Sequence, residues 1–241
     1  MKDYFYNKMI ELAKKIDMSL TEMQIKKFFE YMQLLLEWNE KINLTAITEV
    51  DDIILKHFID SLTVIKYIQE NNKIIDVGTG AGFPGIPIGI INSNIDITLL
   101  DSLNKRINFL NEVCNKLELK NIRTIHGRAE DFGKDKDTRE KFDIAISRAV
   151  ANMTTLVEYL LPFVKVGGYA ICMKGPEIEE ELSKAKFAIN ELGGKIEKVE
   201  NFVLPNSDIE RNIVIIKKVS DTPNKYPRKA GTPSQSPMFH R

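Results

Sequence analysis

Three histidines, two cysteines and a single tryptophan occur in a chain of 241 residues whose basic and acidic side chains balance at 34 each. Each shortage excludes something. His57, His126 and His240 lie far apart without ligand spacing, so no metal centre is expected. Cys114 and Cys172 fall in a helix-like and a strand-like stretch, which reads as two small buried hydrophobes in a reducing compartment. No apolar run approaches the ~20 residues a bilayer requires, and no N-terminal stretch has a signal-peptide layout. A cytoplasmic protein with no membrane partner is the expectation. No internal repeat is present. The zero net charge gives no global sign of a nucleic-acid partner, but the charge is locally uneven: beyond Asp221 there is no acid, while Lys225, Arg228, Lys229 and Arg241 follow.

What is present suffices for one large α/β unit with a modest addition: 43% of the residues are apolar. The first seventy residues read as helices. Ser19 with Glu22 has capping-box spacing, followed by Ile25, Phe28, Phe29, Met32, Leu35 and Leu36 at helical intervals. A second helix is expected after Asp51 and Asp52, with Leu55, Phe58, Ile59 and Leu62 on one face, and Trp38 is expected in the core. From residue 73 strand and helix alternate, with strands at KIIDV, DITLLD, IRTIHG, FDIAISRA and GGYAICMKG. That rhythm implies right-handed crossovers and a mainly parallel sheet. It ends differently: residues 196–205 and 211–218 are two β-rich runs joined by a short turn around Asn206, Ser207 and Asp208, so they should pair antiparallel. The expected architecture is a Rossmann-like, seven-stranded α/β sheet of the class I S-adenosylmethionine-dependent methyltransferase type. Residues 1–70 would form an N-terminal helical cap, 71–220 the cofactor-binding domain and 221–241 a basic tail.

The stretch IIDVGTGAGFPGIPIGII, residues 74–91, packs glycines between a strand and a helix. Glycine allows a sharp turn and close approach to a ligand, and the following helix directs its N-terminal N–H groups toward it. GAGFPG fits the dinucleotide fingerprint, whereas DVGTGAG fits D-x-G-x-G-x-G, the S-adenosylmethionine pattern, and accounts for Asp76 and Gly78 as well. Asp101, at the end of the second strand, suits two ribose hydroxyls in either case. GRAED sets Ala129, Glu130 and Asp131 where an adenine ring would lie, and the terminal hairpin fits the methyltransferase layout. Together these favour S-adenosyl-L-methionine, held by Asp76, Gly78, Gly80, Gly82, Asp101, Ala129 and Glu130.

The acceptor is approached by elimination. After the fourth strand stands SRAV (147–150), not the D/N-P-P-F/Y associated with exocyclic amino groups; neither cysteine follows a proline, as carbon-5 methylation of pyrimidines needs; and no acid follows closely enough for a ribose-hydroxyl relay. Acceptors that are already nucleophilic remain. N7 of guanine has a free lone pair and needs positioning rather than a base, which suits Arg148. The same elimination admits a small-molecule or protein acceptor, and a non-catalytic S-adenosylmethionine-binding RNA module stays open.

The stretches WNEKINLTAIT, HFIDSL, DVGTGAGFPGIP, LLDSLNKR, GRAED, SRAV, MKG, RNIVIIKK and YPRKAGTPS, in that order from residue 38 to the tail, resemble the bacterial small-subunit rRNA guanine-N7 methyltransferase family, also called glucose-inhibited division protein B. The resemblance implies S-adenosylmethionine as donor and 16S rRNA of the small ribosomal subunit as substrate. It also implies cofactor contacts at Gly78, Phe83, the Ala129–Glu130 pair and Arg148, so Arg148 is open to either partner. Lys174, ending the fifth strand, is a candidate contact to phosphate or guanine; Arg148 and Lys174 are the candidates for a catalytic part. Arg211 and, in the tail, Arg228 and Lys229 are candidates for gripping RNA, with Arg123 and Arg128 on the same basic rim. His57, on a helix, is read as packed or capped rather than catalytic.

Overall fold

The structure, a computed structural model, describes residues 1–238; His240 and Arg241 lie outside the described residues. Helix α1 (Lys2–Lys14) buries Phe5, Met9 and Leu12 at helical spacing. Helix α2 (Glu22–Ile42) buries Ile25, Phe28, Tyr31, Met32 and Leu35. Its capping box is Thr21 with Gln24 rather than Ser19 with Glu22. The later start has a tertiary reason: Gln24 Nε2 also donates to the carbonyl of Ile91 at 3.0 Å, so the cap is fixed by contact with the sheet-covering helix.

The next helix also departs from expectation. Val50–Asp52, Ile53–Ile59 and Asp60–Leu62 run on as one element, α3 (50–62), so Asp51 and Asp52 lie inside it rather than before it. Its middle is π-helical, and the wider turn brings His57 and Asp60 inward beside Phe58, Ile59 and Leu62, while Leu55 is only half-buried. Trp38 is half-buried, tilted against Phe109 with ring centroids 5.7 Å apart.

The alternating part follows the expected rhythm: β1 (Lys73–Val77), α4 (Gly85–Ile91), β2 (Asp96–Asp101), α5 (Asn104–Lys116), β3 (Ile122–His126), α6 (Ala129–Phe132), β4 (Phe142–Arg148), α7 (Met153–Leu160), β5 (Val164–Lys174), α8 (Glu179–Glu191), β6 (Gly194–Val203) and β7 (Glu210–Lys218). A short helix, α9 (Thr232–Gln235), lies in the tail. Among the described residues the strands form one seven-stranded sheet in the order β3-β2-β1-β4-β5-β7-β6. β1 to β5 are parallel, because each is reached by a crossover; β6 and β7, joined by the short turn, are antiparallel, and β7 inserts beside β5.

Alternation along the strands divides the core in two. Ile74, Ile144, Ile146, Ile171 and Ile213 face α1–α5, in a cluster continuous from Phe5 to Ile215. Ile75, Ala145, Ala170, Cys172 and Val214 face α7 and α8, a cluster that also takes in Tyr226 and Met238 of the tail. The N-terminal helices thus cover one sheet face, and the tail closes the other. Strand order reverses on either side of β1 and β4, so their carboxyl ends open the crevice where ligands bind in such sheets.

Candidate functional site

β1 leads into the glycine loop at that crevice. Gly78, Gly80 and Gly82 hold φ of +68°, +62° and +99°, which side chains rarely adopt. The N–H groups of Gly78 and Thr79 both donate to the carbonyl of Leu100, stitching the loop to β2. Asp76 braces it from below: Oδ2 accepts from Thr79 Oγ1 at 2.7 Å and from the N–H of Gly85 at 2.8 Å, while burial raises its carboxyl to about 6. Asp76 is completely buried, so it shapes the loop instead of lining the pocket above it. Gly82 is likewise structural; a Cβ there would meet Ile86 and the Tyr31 hydroxyl, which itself donates to the carbonyl of Ala81. At Gly80, by contrast, a Cβ would meet nothing within 4 Å, so the loop leaves an open cradle.

Asp101 closes the cradle from β2. Oδ2 accepts from the N–H of Gly80 at 2.9 Å, Oδ1 from the N–H of Leu103 at 2.9 Å, and Arg106 pairs with it at 3.3 Å. Around these groups lies a pocket of about 410 Å³ whose walls include Thr45, His57, Phe83 and Arg148. The wall is a stack. His57 lies parallel to Phe83 with centroids 4.5 Å apart, and the Arg148 guanidinium sits 4.9 Å from the same ring. Arg148 donates from Nη1 to the carbonyl of Lys56 at 2.9 Å and pairs with Asp60 at 3.5 Å; Arg211 reaches Asp60 Oδ2 at 3.1 Å. Burial, and then the Arg148 charge, depress His57 to about 3, which leaves it neutral.

Two further pockets adjoin. One of about 140 Å³ is lined by Asp101, Arg128, Ala129, Glu130 and Tyr159. The other, about 460 Å³, is lined by residues 149–152 together with Lys174 and Glu181. Val150 borders all three. Its side chain occupies the space over Gly78, where a Cβ would lie 2.7 Å from Val150 Cγ2. Lys174 donates to the carbonyl of Ala151 at 2.8 Å and pairs with Glu181 at 2.8 Å. A larger concavity, about 1170 Å³, lies further along α8 and β7 and is rich in glutamates.

The fold therefore gathers Gly78, Gly80, Phe83, Asp101 and Arg148 about one pocket, sets Arg128, Ala129 and Glu130 in a second, and puts Lys174 in a third. It leaves others elsewhere. Arg123 sits on the edge strand β3, donating to Thr98 Oγ1 at 2.8 Å. Arg228 is paired with Glu158, while Lys229 is exposed. Tyr31, Val150, Glu158 and Tyr159 were not anticipated. Tyr31 falls three residues after Phe28 on the same face, a legible signal, and a lone acid in the apolar α7 marks Glu158. Val150 ends the SRAV stretch, which does not show its place over Gly78.

A family model described as rRNA small subunit methyltransferase G matches residues 24–214. The chain is 55% identical over 230 residues to the ribosomal RNA small subunit methyltransferase G of Alkaliphilus oremlandii, covering 95% of this chain and 96% of the relative. It is 50% identical over 237 residues to that of Clostridium novyi, covering 98% of each. Among solved structures, a SAM-dependent methyltransferase from Aquifex aeolicus shares the fold with a TM-score of 0.51 at 20% identity, over 68% of this chain and 92% of that one. The chain belongs to the rRNA small subunit methyltransferase G family and is an rRNA methyltransferase.

Proposed function

We propose that this chain transfers the methyl group of S-adenosylmethionine to N7 of a guanine in 16S rRNA of the small ribosomal subunit, in the cytoplasm. The donor set fits the cofactor. The cradle over Gly80 accepts a ligand that approaches the backbone closely, Asp101 accepts from ribose hydroxyls, and Ala129 with Glu130 takes the adenine. Phe83, stacked on His57 with Arg148 beside that imidazole, forms the wall at the sulfonium end. When bound, the cofactor supplies an electrophilic methyl group.

The carrying observation is the set of side chains where the acceptor must enter. Residues 149–152, Ala-Val-Ala-Asn, offer no base; His57 is neutral, with Nδ1 engaged by Arg148; and Glu181 is held by Lys174. An acceptor that must lose a proton before attack finds no group to take it, whereas guanine N7 attacks with its own lone pair. The pocket beside Lys174 receives the base, and the protein's task is alignment. Lys174 contributes a cation to the base or its phosphate, and Arg148 acts by holding the Phe83 wall. Arg128 and Lys229, both exposed, extend the basic rim.

The test is transfer from labelled S-adenosylmethionine to small subunits that lack the modification, with the product nucleoside identified by mass spectrometry. Label recovered as 7-methylguanosine supports the reading. Cofactor binding with no label in RNA overturns it.

A further inference from the structure

The basic tail does something other than its composition suggests. Arg228 donates from its backbone N–H and from Nε to Glu158 Oε1, at 2.7 and 3.0 Å, and from Nη2 to Oε2 at 2.7 Å. Glu158 is completely buried, so this charge pair is a fixed anchor in α7 and not a solvated contact. The chain then turns. Nη1 of Arg228 holds the carbonyl of Ser236 at 2.8 Å, and Thr155 Oγ1 donates to the carbonyl of Pro233 at 3.1 Å. Upstream, Arg139 donates to the carbonyls of Tyr226 and Thr222 at 2.7 and 2.6 Å. Between these ties lies Gly231, whose N–H donates to Glu130 Oε1 at 2.8 Å.

Glu130 borders the pocket beside Asp101 and is 5% exposed. The backbone N–H of Gly231 is taken by Oε1 alone. A carboxylate with one oxygen fixed by the backbone, at the border of a pocket, can present its other oxygen to a ligand's donor. We infer that residues 226–236 are a positioning strap for the cofactor site: Arg228, through Glu158, sets Gly231 so that its N–H orients the Glu130 carboxylate toward the exocyclic amino group of adenine. Arg228 and Gly231 act on recognition of the base of the cofactor, not on RNA. The inference rests on the reading of the neighbouring pockets as an S-adenosylmethionine site.

The discriminating probe is the amino group itself. S-adenosylhomocysteine carries it; S-inosylhomocysteine has a carbonyl oxygen in its place. In titration calorimetry the wild-type chain should prefer the adenosyl compound. Arg228→Gln should weaken that compound about tenfold while changing the inosyl compound little, so the preference collapses. RNA affinity should be unchanged. Equal weakening of both compounds, or an unaltered preference, overturns the strap. Wild-type binding of neither compound would instead sink the cofactor reading. Should Arg228→Gln melt the fold, amide hydrogen exchange of the wild-type chain decides: residues 228–236 should gain protection with the adenosyl compound and not with the inosyl one. Equal protection overturns the inference.

Discussion

Nη2 of Arg148 lies 3.1 Å from Nδ1 of His57, while Nε2 of that ring lies 2.9 Å from Thr45 Oγ1. A guanidinium only donates, so Nδ1 accepts and the ring proton sits on Nε2, facing the threonine. The imidazole therefore has no lone pair left for a substrate. It serves as a flat neutral plate behind Phe83.

Keeping that plate neutral couples stability to pH. His57 is depressed from 6.5 to about 3, so below pH 6.5 the unfolded chain binds a proton that the folded one refuses. Stability from this group is complete above pH 6.5 and is lost as pH falls toward 3, by at most about 1.4 kcal/mol per pH unit. Asp76, raised from 3.8 to about 6, has the opposite sign between those values. Comparison with His57→Gln isolates the histidine. In urea unfolding the wild-type advantage at pH 7.5 should shrink by pH 5; a constant gap would show that His57 titrates normally.

Gly80 and Gly82 should separate binding from folding. An alanine at Gly82 must adopt φ near +99° with its Cβ 2.5 Å from Ile86 Cδ1, so roughly 2–3 kcal/mol of stability should go. An alanine at Gly80 meets open space and costs only the left-handed backbone term, about 1–2 kcal/mol, yet its methyl enters the cradle. Thermal melts with cofactor titration should show Gly82→Ala chiefly destabilised and Gly80→Ala chiefly unable to bind. The reverse pattern would remove the cradle.

Asp101→Asn leaves one acceptor oxygen for the two N–H groups, of Gly80 and Leu103, that the carboxylate takes, and sets a donor against the other. Cofactor affinity should drop by about 10- to 100-fold, since both the loop contact and the ribose contacts weaken. Unaltered affinity in calorimetry would contradict the ribose assignment.

Lys174→Ala bears on the acceptor side. Its cation stands at the entrance formed by residues 149–152, so kcat/KM for the ribosomal substrate should fall about tenfold, with cofactor affinity intact and the salt slope of RNA binding reduced by about one. A variant with normal kcat/KM would place the base elsewhere.

The strands could be read with their order along the chain because each is short, apolar and punctuated by a glycine, an asparagine or an acid. DITLLD and KIIDV match β2 and β1 residue for residue. The start of α2 could not, since S-x-x-E and T-x-x-Q overlap and the choice belongs to Ile91, far along the chain. The π-helical turn of α3 was invisible for a similar reason: it is stabilised by burying His57 and Asp60 against Arg148 and Arg211, partners that only folding brings near.

Local pattern determined that this chain makes a parallel sheet, a glycine cradle and an acid at the end of β2, because backbone sterics and strand periodicity act over a few residues. Only the tertiary structure decided how the charges are used. Asp76, Arg148 and Arg228 read alike as site residues in one dimension, yet one is sealed under a loop, one is clamped behind an aromatic wall and one anchors a strap. Burial and pairing are properties of three-dimensional neighbours, and the free energy of a charge depends on those neighbours far more than on its place in the sequence.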